Sequence, residues 1–312
     1  MSHFPSPVIV FAYNRPDHLA RCLTALSEAT LANKTDVWVF SDGARNDRDK
    51  AEVVKVRELV NDKKWTTLFR NFRVVDAIEN MGLARSIILG VTDILSKYTS
   101  AIVLEDDLVV ARDFLEFMND CLVFFAQEKS IGSITGYCPL AVLPEGYEYD
   151  VMAVPRICSH GWATWADRWS EVDWKARDAA RIWQDSALRK RFNSTGSDQL
   201  YRLRRQLSGR LQTWAIIFHL WLILTDRLTI YPVQNRVKNI GFDGSGVHTR
   251  PVDKFHTTIR PNSVPYQLNL PDVSPEIVTA FHRAYSGALL GQVKRAFINI
   301  RPPSVLFDSQ GS

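Results

Sequence analysis

The sequence predicts an α/β fold with a central, mostly parallel sheet flanked by helices. Three observations carry that prediction. Short β-rich runs alternate through the first half with stretches whose apolar residues recur at helical spacing. The β-rich runs end in polar or acidic turns. The chain has 312 residues, 46% of them hydrophobic and 23% charged, which is enough to bury a full core and argues against disorder.

Val8–Tyr13 is the first β-rich run. Pro16 opens a helix whose Leu19, Cys22, Leu23 and Leu26 share one face. Val37–Ser41 is a second strand ending in the turn signal Asp42-Gly43. Val53, Val56 and Val60 mark the next helix, and Phe72–Val75 a third strand. Gly82 leads into a helix carrying Leu83, Ile87, Val91 and Leu95. Ala101–Leu104 is a fourth strand, running straight into Glu105-Asp106-Asp107. This alternation predicts a parallel-type sheet, and such sheets bind ligands beyond the carboxyl ends of their strands. Four loops are thereby singled out: Asn14-Arg15, Ser41–Gly43, Asn80–Arg85 and Glu105–Asp107. The dinucleotide fingerprint and the Walker loop are both absent.

The second half is less regular. Residues 155–174 are dense in aromatics, with Trp162, Trp165, Trp169 and Trp174. A helical stretch near 178–224 is very basic between Arg189 and Arg210, and Leu228–Pro232 is a short strand. Asn239–His248 is a polar, glycine-rich loop. Leu289, Val293, Phe297 and Ile300 form an apolar stripe beside Lys294, Arg295 and Arg301. The expected organisation is one domain over 1–270, with a donor half at about 1–136 and an acceptor half at about 137–270, then a C-terminal tail, 271–312, with an amphipathic helix. A net charge of +4 is too mild for a nucleic-acid partner. Cys22, Cys121, Cys138 and Cys158 lack zinc or redox spacing and read as buried thiols. With no signal-peptide core and no long apolar run, the expectation is a cytoplasmic protein. The tail stripe either packs on its own domain or rests peripherally on the inner face of a membrane.

Three adjacent carboxylates repel one another unless something neutralises them. A divalent cation, Mn²⁺ or Mg²⁺, suits carboxylates, and the oxygens of a nucleotide diphosphate could complete its coordination. The alternative is an acidic loop capping the following helix.

Val103–Leu115, containing Glu105-Asp106-Asp107, resembles the acidic motif of GT-A-fold glycosyltransferases, especially eukaryotic enzymes that transfer N-acetylglucosamine to mannose. Phe11–Arg15 and Phe40–Gly43 are similar to their first and second strand ends. A closer resemblance is to bacterial sugar transferases found with surface-polysaccharide genes, related to family 2 glycosyltransferases. The shared patterns are Tyr13–Pro16, Ser41–Gly43, Asn80–Ser86, Gly161–Trp165, Arg168-Trp169 and Asn239–Gly246. The resemblance covers roughly residues 7–255. It implies the GT-A fold, a nucleotide-sugar donor, and a saccharide or lipid-linked glycan acceptor. By position it implies Asp107 as metal ligand, Asp106 on metal-bound water or ribose, and Glu105 on the donor sugar. It further implies Arg15 on phosphate and Asp42 on the uracil ring. Arg85 is either a second phosphate contact or a surface arginine.

An inverting transfer needs a general base. Gly196–Arg204 resembles the acid-bearing helix start of family 2 enzymes, which points to Asp198; a simple helix N-cap is its other reading. The N-acetylglucosamine enzymes place their base just before a tryptophan. Here that segment, Leu211–Trp214, carries Gln212 and Thr213, and the placement fails. Asp243 and Asp167 are weaker alternatives. Gly161 and Trp162, with Trp165, are expected to form a wall beneath the sugars, and Trp169 and Trp174 to be core. His160 either bonds sugar or phosphate or is structural. The loop holding Gly241, Asp243, Gly244, Ser245, Gly246 and His248 is either a lid over the donor or an ordinary connection.

The expected function is metal-dependent transfer from a nucleotide-diphosphate sugar, UDP by the role given to Asp42, to a saccharide hydroxyl. Inversion follows from resemblance. Two alternatives stay open: a non-catalytic nucleotide-sugar or glycan-binding protein, favoured by Gln212-Thr213, and a metal-dependent phosphohydrolase.

Overall fold

The computed structural model describes residues 4–140, 142–243, 258–259, 265–286 and 303. The first half follows the expected alternation: β1 (Val8–Ala12), α1 (Pro16–Ser27), β2 (Asp36–Ser41), α2 (Asp47–Val60), a short α3 (Lys64–Leu68), β3 (Asn71–Asp76), α4 (Leu83–Leu95) and β4 (Ser100–Glu105). The second half holds β5 (Leu108–Val110), α5 (Phe114–Phe124), β6 (Ile131–Thr135), β7 (Val151–Val154), β8 (Trp162–Trp165) and α6 (Ala166–Ser170). Then come α7 (Arg181–Gln184), α8 (Ser186–Phe192), α9 (Gln199–Leu207), α10 (Trp214–Leu224), β9 (Leu228–Pro232), β10 (Val237–Asn239) and α11 (Pro275–Ser286).

Eight strands form one sheet in the order β3-β2-β1-β4-β8-β6-β9-β7. The first four run parallel, and β8 is antiparallel to both β4 and β6. Helices cover both faces, so β1 is apolar at every position, with Val8, Ile9 and Val10 fully buried. Strand alternation sorts its residues between two cores. Val8, Val10, Ile102 and Leu104 face the side covered by α1, α2 and α5. Ile9, Phe11, Ala101 and Val103 face the side covered by α4 and α10. A separate ribbon pairs β5 with β10, setting Asn239 opposite Leu108 just past the acidic cluster.

Two corrections to the sequence-based organisation follow. The irregular second half supplies four strands of the main sheet, and only β9 was expected. Trp162–Trp165, expected as a sugar-facing wall, is β8 at the sheet's centre, because its four residues are buried on both faces. The described part of the C-terminal tail packs on the domain. Ile277 and Phe281 of α11 are buried in the same core as β1, and Phe281 meets Tyr231 of β9 edge-on at 4.9 Å. The expected stripe from Leu289 to Ile300 lies outside the described residues. All four cysteines are buried and free. No described helix is long and apolar enough to cross a membrane.

His219 on α10 is fully buried, with Nε2 3.1 Å from the Phe192 carbonyl. Burial pushes its pKa down from 6.5 to about 3. A histidine kept neutral when folded but free to protonate when unfolded contributes stability above pH 6.5 that is lost as pH falls towards 3. Urea unfolding of His219→Gln across that interval should therefore show a shallower loss of stability with acid than the unaltered protein.

Candidate active site

The carboxyl ends of β1, β2 and β4 meet at one edge of the sheet. Parallel pairing sets Phe11 opposite both Phe40 and Glu105, so the turns that follow are neighbours. Arg15, the residue before α1, reaches across to β4. Its Nη1 donates to Asp107 Oδ2 at 3.0 Å, and its Nη2 donates to Asp106 Oδ1. The Tyr13 amide donates to Asp106 Oδ2 at 3.3 Å.

Three carboxylates thus share one guanidinium. Burial and the charges of Asp107 and Asp106 push the Glu105 pKa up to about 8. Burial lifts Asp106 to about 6 against the pull of Arg15. Burial opposes the charge on Arg15, but the two aspartates outweigh it and raise its pKa. No described donor engages the Glu105 carboxylate or Asp107 Oδ1. The start of the glycine-rich loop is laid over this cluster: the Ile240 amide donates to the Asp107 carbonyl at 2.9 Å. A Cβ on Gly241 would stand 2.3 Å from Asp107 Oδ2 and 3.0 Å from Arg15 Nη1, so only glycine lets the backbone pass there. Beyond it, His18 Nε2 lies 3.1 Å from Asp243 Oδ2. His248 and Gly244–Gly246 lie outside the described residues.

Among the described residues, no three His, Cys, Asp or Glu side chains converge as a metal cage. The cluster nevertheless fits a cation that draws its remaining ligands from a bound diphosphate. It retains net negative charge, and an oxygen of Asp107 is unengaged.

Asp42 has a different role from the expected one. Its Oδ1 accepts from the amides of Gly43 and Met81 at 2.9 and 2.8 Å. Its Oδ2 accepts from the Gly82 amide and Asn80 Nδ2 at 3.0 and 3.1 Å. Four donors fill the carboxylate's acceptor positions. Asp42 is therefore a joint fastening the end of β2 to the loop before α4, rather than an acceptor open to a uracil ring. Sequence reasoning missed Asp49, on the first turn of α2. It accepts from the Tyr13 hydroxyl at 2.6 Å and Asn14 Nδ2 at 3.1 Å, fixing the loop after β1. Asn46, which caps α2 through the amides of Arg48 and Asp49, is the one local signal for its position. Arg85 is exposed on the first turn of α4 and makes no ion pair among the described residues.

Trp162 is also corrected. Its indole is fully buried, stacked 4.4 Å from Trp214 and 5.8 Å from Trp169. Protein rings take the place a sugar was expected to occupy. Gly161 (φ +60°) is likewise packed inside, since a Cβ there would meet the Val237 side chain at 2.7 Å. His160 stacks edge-on against Tyr137 at 4.7 Å.

Asp198, just before α9, does not cap that helix with its side chain. Its two oxygens accept instead from Arg156 Nη1 and Nη2 at 3.1 and 2.9 Å. Burial would raise its pKa, but the guanidinium outweighs burial and lowers it. Of the alternatives, Asp167 pairs with Arg168 and Lys129, and the Thr213 hydroxyl caps α10.

Residues 8–120 match the model of the family described as glycosyl transferase family 2. The strands β1 to β4 lie within this segment, and the chain as a whole has the mixed α/β sheet described above. Among solved structures, it is similar to S. aureus TarS at 11% identity, covering 75% of this chain and 36% of that one with a TM-score of 0.41. It is similar to TarS 1-349 at 12% identity, covering 75% and 59%, again with a TM-score of 0.41. The chain thus spans less than two thirds of the length of either.

Two outcomes test these placements. Trp162→Ala should cost about 3–5 kcal/mol in urea unfolding, as for a core tryptophan. Glu105 has a folded pKa raised from 4.5 to about 8, so its contribution is full below pH 4.5 and lost as pH rises through 8. Glu105→Gln should therefore raise the melting temperature of the ligand-free protein at pH 8 and not at pH 4.5, by differential scanning fluorimetry.

Proposed function

We propose that the protein moves a sugar from a nucleotide-diphosphate donor, UDP in the first instance, to a saccharide hydroxyl with inversion, assisted by Mn²⁺ or Mg²⁺. The acceptor is proposed as a saccharide or lipid-linked glycan in surface polysaccharide or glycoconjugate synthesis. The undercompensated cluster Glu105-Asp106-Asp107 at the end of β4 carries this proposal. Asp107, through the oxygen that Arg15 leaves open, would hold the cation, with Asp106 beside it. When bound, the cation stabilises charge developing on the departing diphosphate. Arg15 would turn one guanidinium edge to the phosphates, and the exposed Arg85 would add a second positive charge. Glu105 would accept from the donor sugar's hydroxyls. With Asp42 filled, the choice of UDP rests on the resemblance of the strand-end motifs.

Asp198 would take the proton of the acceptor hydroxyl as that oxygen bonds the anomeric carbon. The bond from this carbon to the diphosphate breaks, and its electrons leave with the diphosphate. A wall of buried tryptophans no longer serves as the sugar platform in this scheme. The proposed site of action is the cytoplasm, with peripheral contact to the inner face of a membrane through the C-terminal tail, 271–312, and its stripe Leu289–Ile300.

A second reading, a nucleotide-sugar or glycan-binding protein, is favoured by one observation: both oxygens of Asp198 already pair with Arg156. Turnover decides between them. With UDP-sugars and Mn²⁺, Asp107→Ala and Asp198→Asn should each lower UDP release by about 10²–10⁴-fold, the usual weight of a catalytic group. A binding protein has no release to lose. UDP with Mn²⁺ should also raise the melting temperature, and Asp107→Ala should abolish that gain. Stabilisation by GDP or CMP in place of UDP would overturn the nucleotide assignment.

A further inference from the structure

We infer that Arg156 is a positioning residue for the transfer: it grips the Asp198 carboxylate by both oxygens and, braced by α11, holds its remaining lone pairs towards the acceptor hydroxyl. The inference rests on the proposed role of Asp198 as base.

Arg156 is buried, and its guanidinium is fixed on several sides. Besides the two bonds to Asp198, Nη1 donates to the Thr195 carbonyl at 3.2 Å. The Tyr285 ring lies 3.6 Å from the guanidinium carbon, and the Arg156 carbonyl accepts from the Tyr231 hydroxyl at 3.0 Å. The loop carrying Asp198 is tied to the same helix as Tyr285. The Ser197 amide donates to Ser286 Oγ at 3.1 Å, and His282 Nδ1 meets the Ser194 carbonyl at 3.2 Å. A planar guanidinium fork matches a carboxylate in one orientation, so the bidentate pair fixes the direction of Asp198 as well as its charge.

The geometry also leaves the carboxylate usable. A bidentate arginine takes one lone pair from each oxygen. The Asp198 side chain is 16% exposed while that of Arg156 is 6% exposed, so the open side of the pair belongs to the acid. An aspartate at a helix start ordinarily turns to the first-turn amides. This one makes no such bond and accepts from Arg156 instead. As a purely structural device the pair is a poor choice, since a desolvated ion pair is often no more stabilising than apolar side chains of the same volume.

The test uses the full chain, Mn²⁺, and UDP-glucose and UDP-N-acetylglucosamine as donors, with water in place of the acceptor hydroxyl and UDP release as readout. Arg156→Met should lower kcat about a hundredfold, the scale of a misplaced reacting group, with the donor KM unchanged. The acid limb of the kcat profile should move to higher pH, because Asp198 loses the cation that favours its ionised form. Arg202, Tyr285 and His219 are the other titratable groups facing Asp198, and they are unaltered in the variant. Arg156→Lys should recover part of the rate, and Arg156→Met in an Asp198→Asn background should cost nothing further. If Arg156→Met does not fold, the pH limb of Arg156→Lys carries the same comparison. Losses that multiply in the double variant, or an unmoved pH profile, overturn the inference and leave the transferase reading intact. Absence of UDP release by the unaltered protein overturns both.

Discussion

Three carboxylates stand together at the end of β4, and the guanidinium of Arg15 is the one cation among the described residues that is ion-paired with them. Everything at this edge of the sheet is arranged around that imbalance. Arg15 can reach Asp106 and Asp107 only because β1 and β4 are adjacent and parallel, with Phe11 level with Glu105. Gly241 can pass over the cluster only because it has no side chain. Stability and function pull in opposite directions here, since the group that would relieve the repulsion is a ligand and not part of the chain. Sites that carry residual charge in this way are destabilised without their ligand and tightened by it.

The other ionic centre is built on the reverse plan. Arg156 and Asp198 neutralise each other, and the Thr195 carbonyl and the Tyr285 ring engage the rest of the guanidinium. Such a pair is costly to desolvate but rigid once made. One centre therefore has room for an incoming cation and phosphates, while the other holds its groups in a fixed direction.

How far this was legible in the sequence differs from element to element. Strands β1, β2 and β4 were readable because burial makes them largely apolar runs between strong turn signals, whereas the mostly exposed edge strand β3 showed only through Phe72–Val75. The acidic cluster and Arg15 were readable because charge at a strand end is locally unusual. Asp42 was placed correctly at a strand end but given the wrong partners. Whether a carboxylate is open or filled depends on backbone amides 39 and 40 residues away, at Met81 and Gly82, and no local pattern reveals them. Trp162 failed for a similar reason. A tryptophan beside a glycine looks the same on a ligand wall and in a core, and only the arrival of Trp214 from α10 decides. The strands β6, β7 and β8 have four or five residues each, too few for a periodicity to show. Asp198 was marked as a helix start, yet its bond to Arg156 spans a long stretch of intervening sequence.

The position of β8 also constrains the order of assembly. It lies between β4 and β6, both of which leave the ribosome before it. Until Trp162–Trp165 has been synthesised, the inner edge of β4 has no partner, and the two halves of the sheet have nothing to join them. The nascent parallel half must wait with an apolar strand edge uncovered, a state prone to pairing with other chains. The strand that closes this gap also brings in the tryptophan that Trp214 later covers. The join between the two halves of the sheet thus depends on its shortest central strand and not on the winding of its helices.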